Sequence, residues 1–147
     1  MNQPYGYEEG RAFLAVFMAW VLAQSVKIVI GIVRERRFNF RWLVSTGGMP
    51  STHSAAVAAL ATVVGLYYGF ESIIFAITAV FALITMFDAA GVRRATGHQA
   101  TVLNQILDDI YEKGEIAETR LKELLGHTPF EVFVGAALGI IVVLVMR

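Results

Sequence analysis

Four apolar runs separated by polar clusters set the order of this chain. The first extends from about Ala12 to Val33 and is interrupted by Gln24, Ser25 and Lys27. The second starts near Ser51 and ends at Tyr68, bounded by Gly69, Phe70, Glu71 and Ser72. The third covers about Ile73 to Val92, with Asp88 its only charge. The fourth spans about Pro129 to Met146, with Glu131 near its start. A bilayer crossing takes about 20 helical residues at ~1.5 Å each, so the second and fourth runs are short but adequate. The pattern predicts an all-α, polytopic membrane bundle of four transmembrane helices, at about 12–33, 51–68, 73–92 and 129–146. All lie in a single domain, 1–147, with no separate soluble domain. Pro50 and Pro129 suit helix starts, where proline's missing N–H is not needed. The short connection after Tyr68 makes the second and third helices antiparallel neighbours. Ala55, Ala56, Ala58, Ala59 and Ala61 in the second run, and Gly135, Ala136, Ala137 and Gly139 in the fourth, allow close helix approach in lipid.

The stretch from Gly97 to Lys122 has a different rhythm. Val102, Leu103, Ile106, Leu107 and Ile110 recur at spacings of one, three and four among polar residues. This predicts an amphipathic helical segment between the third and fourth spans, lying against the membrane or the site. A second short helix follows at about Ile116 to Leu125.

Composition agrees with a bilayer setting. Hydrophobic residues make up 56% of the 147 and charged residues 16%, where a soluble domain carries about 25% charged. Lys+Arg and Asp+Glu balance at 12 each, so net charge says nothing about a nucleic-acid partner and only the distribution of charge is informative. The clustering of charge between apolar runs makes the lipid bilayer the expected partner, with no nucleic acid. The lack of cysteine excludes disulfides and thiolate metal sites. The polar start, with Glu8 and Glu9, lacks a basic segment and a clear cleavage site, so the first run reads as a retained span. Four spans put both termini on one side and the loops Arg34–Pro50 and Arg93–Thr128 on the other. Those loops hold most of the arginines and lysines, against Arg11 and Arg147 on the terminal side. The positive-inside rule then places the long loops in the cytoplasm, even with Arg34, Arg93 and Arg94 discounted. Thin helices rich in small residues bury little surface alone, so a homodimer or larger homo-oligomer is expected.

The unusual polar residues all fall at the ends of spans on that face. Lys27 and Arg34 close the first run, and Ser51 and His53 open the second. Asp88, Arg93 and Arg94 close the third, and His127 and Glu131 open the fourth. Taken singly, each has an ordinary explanation: Lys27 snorkels, and Arg93 with Arg94 anchors topology. Four helix ends meeting at one face weaken that explanation, because ionisable groups beside spans are costly. The set fits phosphate. Arginine forks and a lysine hold phosphate oxygens, helix N-termini at the second and fourth runs favour anions, and Gly47 and Gly48 let backbone approach a ligand. Of the two histidines, one can attack phosphorus while the other protonates the leaving oxygen. No carboxylate cluster suggests a metal, so no metal and no cofactor is expected, and cationic side chains would stabilise the transition state.

Pro50-Ser51-Thr52-His53-Ser54-Ala55 and His127-Thr128-Pro129-Phe130-Glu131 resemble phrases of the type 2 phosphatidic acid phosphatase superfamily. Asp88-Ala89-Ala90-Gly91-Val92-Arg93-Arg94, with the short four-span layout, resembles its divergent bacterial and plastid branch, related to acid phosphatases and vanadium haloperoxidases. The resemblance runs from Lys27 onward. It implies that Lys27 and Arg34 bind phosphate oxygens, with Glu35 where the superfamily has proline. Ser51 would bind phosphate and His53 would be the general acid, with Thr52 in place of glycine. His127 would be the nucleophile, forming a phosphohistidine, and Glu131 would stand for the aspartate that orients it. The arginine of that motif falls to Arg93 and Arg94 together, with Gly97–Lys122 as an insertion; Arg120 is nearer in sequence but lies in the polar segment. Asp88 and Gly48 would support these residues from behind. His98 is expected on a loop surface, and Gln99 and Asn104 at a cap or a head group. The implied activity is a metal-independent phosphatase for a membrane lipid phosphate such as phosphatidylglycerol phosphate or phosphatidate. The alternatives are a polyprenyl (di)phosphate phosphatase or a non-catalytic binder or transporter of anionic lipids.

Overall fold

The computed structural model describes residues 9–36, 38, 40, 48–111 and 126–147. Within them lie five α-helices and no strand: α1 (Glu9–Glu35), α2 (Thr52–Tyr68), α3 (Ile73–Ala90), α4 (Val92–Tyr111) and α5 (Pro129–Val145). The expected short helix at about 116–125 lies outside the described residues.

Local chemistry sets the helix ends. Ser51, Ser72 and Thr128 are N-caps whose hydroxyls accept the N–H of Ser54, Phe75 and Glu131, which satisfies donors that the first turn leaves open. Pro129 follows Thr128 at the first helical position. α2 ends at Gly69, whose φ of 90° favours glycine and whose N–H donates to Gly65 O at 3.0 Å. The Phe70 ring then folds back onto Gly65, where a Cβ would collide with it.

The third span and the polar segment are closer to one rod than their sequence suggests. Gly91 N–H donates to Phe87 O at 2.8 Å and Ala95 N–H donates to Gly91 O at 2.9 Å, so bonding runs through the junction. The helix after Gly91 accordingly begins at Val92, not Gly97. Apolar helix long enough to cross a membrane covers Gly10–Glu35 and Ile73–Leu107, while α2 and α5 are shorter apolar helices of 17 residues. A 17-residue helix is about 26 Å long, just under a ~30 Å hydrocarbon layer.

α2 is the hub of the bundle and packs against α1, α3 and α5, and α1 also meets α5. Gly135 lies on the backbone of Ser51 and Gly139 on that of Ala55, each so close that a Cβ would collide with a carbonyl oxygen. Both pairs ascend in the same direction, so α2 and α5 run parallel with their N-termini together. α1 contributes Ala15, Ala19 and Ala23, spaced by four and fully buried. The apolar core of Ala15, Ala19, Ala59, Val63, Leu66, Val142 and Val143 occupies one half of the bundle. Buried Gln24, Lys27, Ser51, Thr52, Ser54 and His127 belong to the other half. Large side chains point outward instead. Ile73, Ile77, Ile84 and Phe87 of α3 are all more than 60% exposed, whereas Ala82 and Ala89 are its buried residues. Small residues inside and large apolar ones outside suit a lipid surround, where close backbone contact replaces hydrophobic burial.

Candidate functional site

The polar half of the bundle is built by ties between helix ends. Ser51 N–H donates to Glu131 O at 3.1 Å and joins the start of α2 to the first turn of α5. His127 N–H donates to Ala89 O at 3.0 Å and joins the start of α5 to the end of α3. Gly48, at φ 90°, lies against the stem of Lys27 and brings the chain before α2 onto α1. The C-terminal third of α1, with Lys27, therefore packs on the starts of α2 and α5, which carry Gly48, Ser51, His127 and Glu131, and the end of α3, with Asp88, joins them through His127.

Lys27 continues the row Ala15, Ala19, Ala23 by one further step of four, so it sits on the inward face of α1. It is 6% exposed, and its Nζ has no hydrogen-bond partner among the described residues. Among the described residues, the Glu131 carboxylate on the first turn of α5 is a charge that favours its ammonium form. A buried ammonium without hydrogen bonds is costly unless an anion completes it. Arg34 lies seven residues on, about two turns along the same side of α1, and is exposed.

The two histidines have opposite surroundings. His127 is 2% exposed, between Gly126 at φ 107° and the Thr128 cap. His53 is exposed in the first turn of α2. Ser51 is fully buried, and its Oγ accepts from Ser54 N–H at 3.3 Å and from the Ser54 hydroxyl at 2.9 Å. One residue earlier, the Met49–Pro50 bond is cis. Glu131 is half-buried and closes a capping box: its Oε2 accepts from Thr128 N–H at 3.0 Å, while Thr128 Oγ1 accepts from Glu131 N–H at 3.3 Å. Sequence reasoning missed this cap, although Thr128-Pro129-Phe130-Glu131 carries the Thr-x-x-Glu signature. It also missed Ser54, a second buried hydroxyl three residues after a serine cap.

Asp88 is half-buried beside Ala89, whose carbonyl holds His127. The backbone of Arg93 and Arg94 forms the first turn of α4, immediately beyond that same end of α3. Arg120 lies outside the described residues. His98 and Gln99 stand on helix α4, not on a loop, and with Val102 and Leu103 they line an open surface depression. Asn104 is buried on the other side of α4 with Gly97 and Ala100, while Val102, Leu103, Ile106 and Ile110 remain about half exposed.

Two comparisons bear on this arrangement. The model of the divergent PAP2 family matches residues 9–142. The chain is also 46% identical over 144 residues to the uncharacterized membrane protein YuiD of Bacillus subtilis (strain 168), covering 90% of this chain and 91% of that one. No solved structure matches the chain.

Proposed function

As the chain belongs to the divergent PAP2 family, we propose that it is an integral membrane phosphatase that hydrolyses a membrane lipid phosphate through a phosphohistidine. The observation that carries this reading is Lys27, whose buried ammonium has no hydrogen-bond partner among the described residues, in the same polar half as buried His127. A phosphate would complete that ammonium and also lie at the paired N-termini of α2 and α5, where backbone dipoles favour an anion.

In the proposed reaction a ring nitrogen of His127 attacks phosphorus and the bond from phosphorus to the lipid oxygen breaks. His53, at the exposed rim, gives a proton to the leaving alkoxide. Water then attacks the phosphohistidine and returns a proton to His53, and inorganic phosphate leaves with His127 restored. Lys27, Arg34, Ser51, Arg93 and Arg94 hold the phosphoryl oxygens, and no metal enters the scheme. Glu131 orients His127 through the oxygen that the Thr128 cap leaves open. The substrate class is a glycerophospholipid phosphomonoester such as phosphatidylglycerol phosphate or phosphatidate, presented at the cytoplasmic face, with a polyprenyl (di)phosphate as the alternative.

A second reading, binding or transport of anionic lipid without turnover, draws on the engagement of Ser51 Oγ and Glu131 Oε2 in helix caps. Phosphate release from a panel of lipid phosphates, by purified protein without added metal, separates the two. The phosphatase reading expects release from wild type and a loss of more than about 10³-fold in His127→Ala, with lipid binding retained. Hydrolysis by His127→Ala at the wild-type rate sinks the mechanism.

A further inference from the structure

Three sides of α2 are taken by other helices. The backbone of Ser51 and Ala55 lies against Gly135 and Gly139 of α5. Ala59, Val63 and Leu66 turn into the apolar core with Ala15 and Ala19 of α1. Gly65 sits under the Phe70 ring, where the chain turns back into α3. α5 also meets both α1 and α3, but among the described residues α1 and α3 do not meet each other. The ring of helices around α2 is therefore open between them. At about 100° per residue, the side of α2 opposite Ser51 and Ala55 carries His53, Ala56, Leu60, Val64 and Tyr67. His53 is exposed and the other four are half-buried. They floor a groove, whereas Ile77, Ile84 and Phe87 of α3 stand out from the surface at more than 60% exposed.

The groove has the polarity of a lipid phosphate. His53 heads it in the polar half, where the buried Lys27 Nζ has no hydrogen-bond partner among the described residues. From there to Tyr67 it is apolar for about 21 Å. We propose that the opening between α1 and α3 is an acyl-chain subsite, in which the tail of the lipid lies along this strip with its phosphate at His53 and Lys27. As part of the proposed phosphatase site it rests on that reading and deepens it, because the reaction dictates where the tail goes. The leaving oxygen carries the tail and takes its proton from His53, so the tail departs on the His53 side. His127, the attacking group, stands at the start of α5, which packs on the opposite side of α2. Attack and departure on opposite sides of phosphorus is the in-line arrangement of phosphoryl transfer. A tail gains little by leaving other tails for an apolar groove, so the subsite contributes alignment of the phosphorus and not affinity.

The test compares one bulky ring placed in two apolar settings. Leu60→Trp fills the groove about 10 Å from His53, and Ile84→Trp adds the same ring to the outward face of α3. Phosphate release is measured on the full chain in micelles, from dioleoyl phosphatidate and from dioleoyl phosphatidylglycerol phosphate. Calorimetric binding of inorganic phosphate, which has no tail, and thermal melting are measured alongside. Leu60→Trp is expected to lower kcat/KM for the lipids about tenfold or more, while binding inorganic phosphate as wild type does. Ile84→Trp should change neither. Should Leu60→Trp not fold, Ala56→Leu adds bulk one turn nearer His53 and should show the same selective loss. Lipid turnover at the wild-type rate in the groove variant, or an equal loss in Ile84→Trp, would overturn the subsite while leaving the phosphatase reading intact. So would weakened binding of inorganic phosphate in the groove variant, because the strip holds the tail alone. A wild-type chain that releases phosphate from neither lipid would overturn both.

Discussion

Lys27 is the residue on which the functional reading turns, because its environment makes no sense as packing alone. A snorkelling lysine sends its ammonium to the interface, whereas this one is 6% exposed on the inward face of α1. Replacing it with an apolar residue of similar length removes a buried charge, a change that is often neutral or stabilising. Lys27→Met should therefore melt no earlier than wild type, yet lose about 10²- to 10³-fold in phosphate release. A structural lysine would show the reverse, with activity kept and stability changed. Glu131 permits a similar separation. Glutamine serves a capping box as well as glutamate does, so Glu131→Gln should keep the wild-type melting temperature, while Glu131→Ala loses about 1 kcal/mol of the cap. Both should lose about 10²-fold or more in activity if the carboxylate also orients His127. Full activity in Glu131→Gln would restrict the residue to its cap.

At the scale of elements, the α2–α5 seam sets the geometry of the site. Gly135 and Gly139 let the two backbones touch, and the site is built at the end of that seam, where Ser51 N–H reaches Glu131 O. An added methyl at either glycine has to separate the helices, since backbone cannot yield as a flexible side chain does. Gly135→Ala and Gly139→Ala should each destabilise by about 1–3 kcal/mol, the usual cost of overpacking, measured by melting in one detergent. Their effects on catalysis should differ. Gly135 presses on Ser51 itself, so Gly135→Ala should lower phosphate release beyond what its stability loss explains. Gly139 presses one turn deeper, on Ala55, and its variant should keep more activity. The α3–α4 junction is a second device at this scale. Bonding through Gly91 carries the polar stretch on directly from α3, which places the backbone of Arg93 and Arg94 beside the carbonyl that holds His127.

For the whole molecule, the segregation of its interior has a functional meaning. The apolar core and the buried polar groups occupy opposite halves, so one end of the bundle is a packed anchor and the other is the end that the proposed reaction would use. Orientation in the membrane then decides which lipid pool the site meets. The chain has no cysteine, so single cysteines report sidedness without background. With the site on the cytoplasmic face, Glu71→Cys in the α2–α3 connection should react with an impermeant maleimide added outside intact cells. Gln99→Cys on exposed α4 should react only after the membrane is opened. The opposite pattern would reverse the orientation and move the substrate to the outer leaflet.

Helix positions were legible in the chain because their causes are local. Run length marks the apolar helices, Ser51, Ser72 and Thr128 cap them, and Gly69 stops α2 at a backbone angle that favours glycine. Placement of Lys27, Ser51, Asp88, His127 and Glu131 at one end followed from run order alone, since alternating helices bring alternate ends together. The Thr128–Glu131 cap and the serine pair were legible too, as local signatures that were overlooked. The inward face of each helix was not. In lipid an apolar side chain is about as well placed outside as inside, so hydrophobicity gives no direction. The burial of Ala15, Ala19, Ala23 and Lys27 was settled only when α1 packed against α2 and α5. The seating of Gly135 on Ser51, and the bond from His127 to Ala89, likewise join residues far apart along the chain. Such contacts depend on shape and on backbone groups every residue shares, so only the assembled bundle selects them.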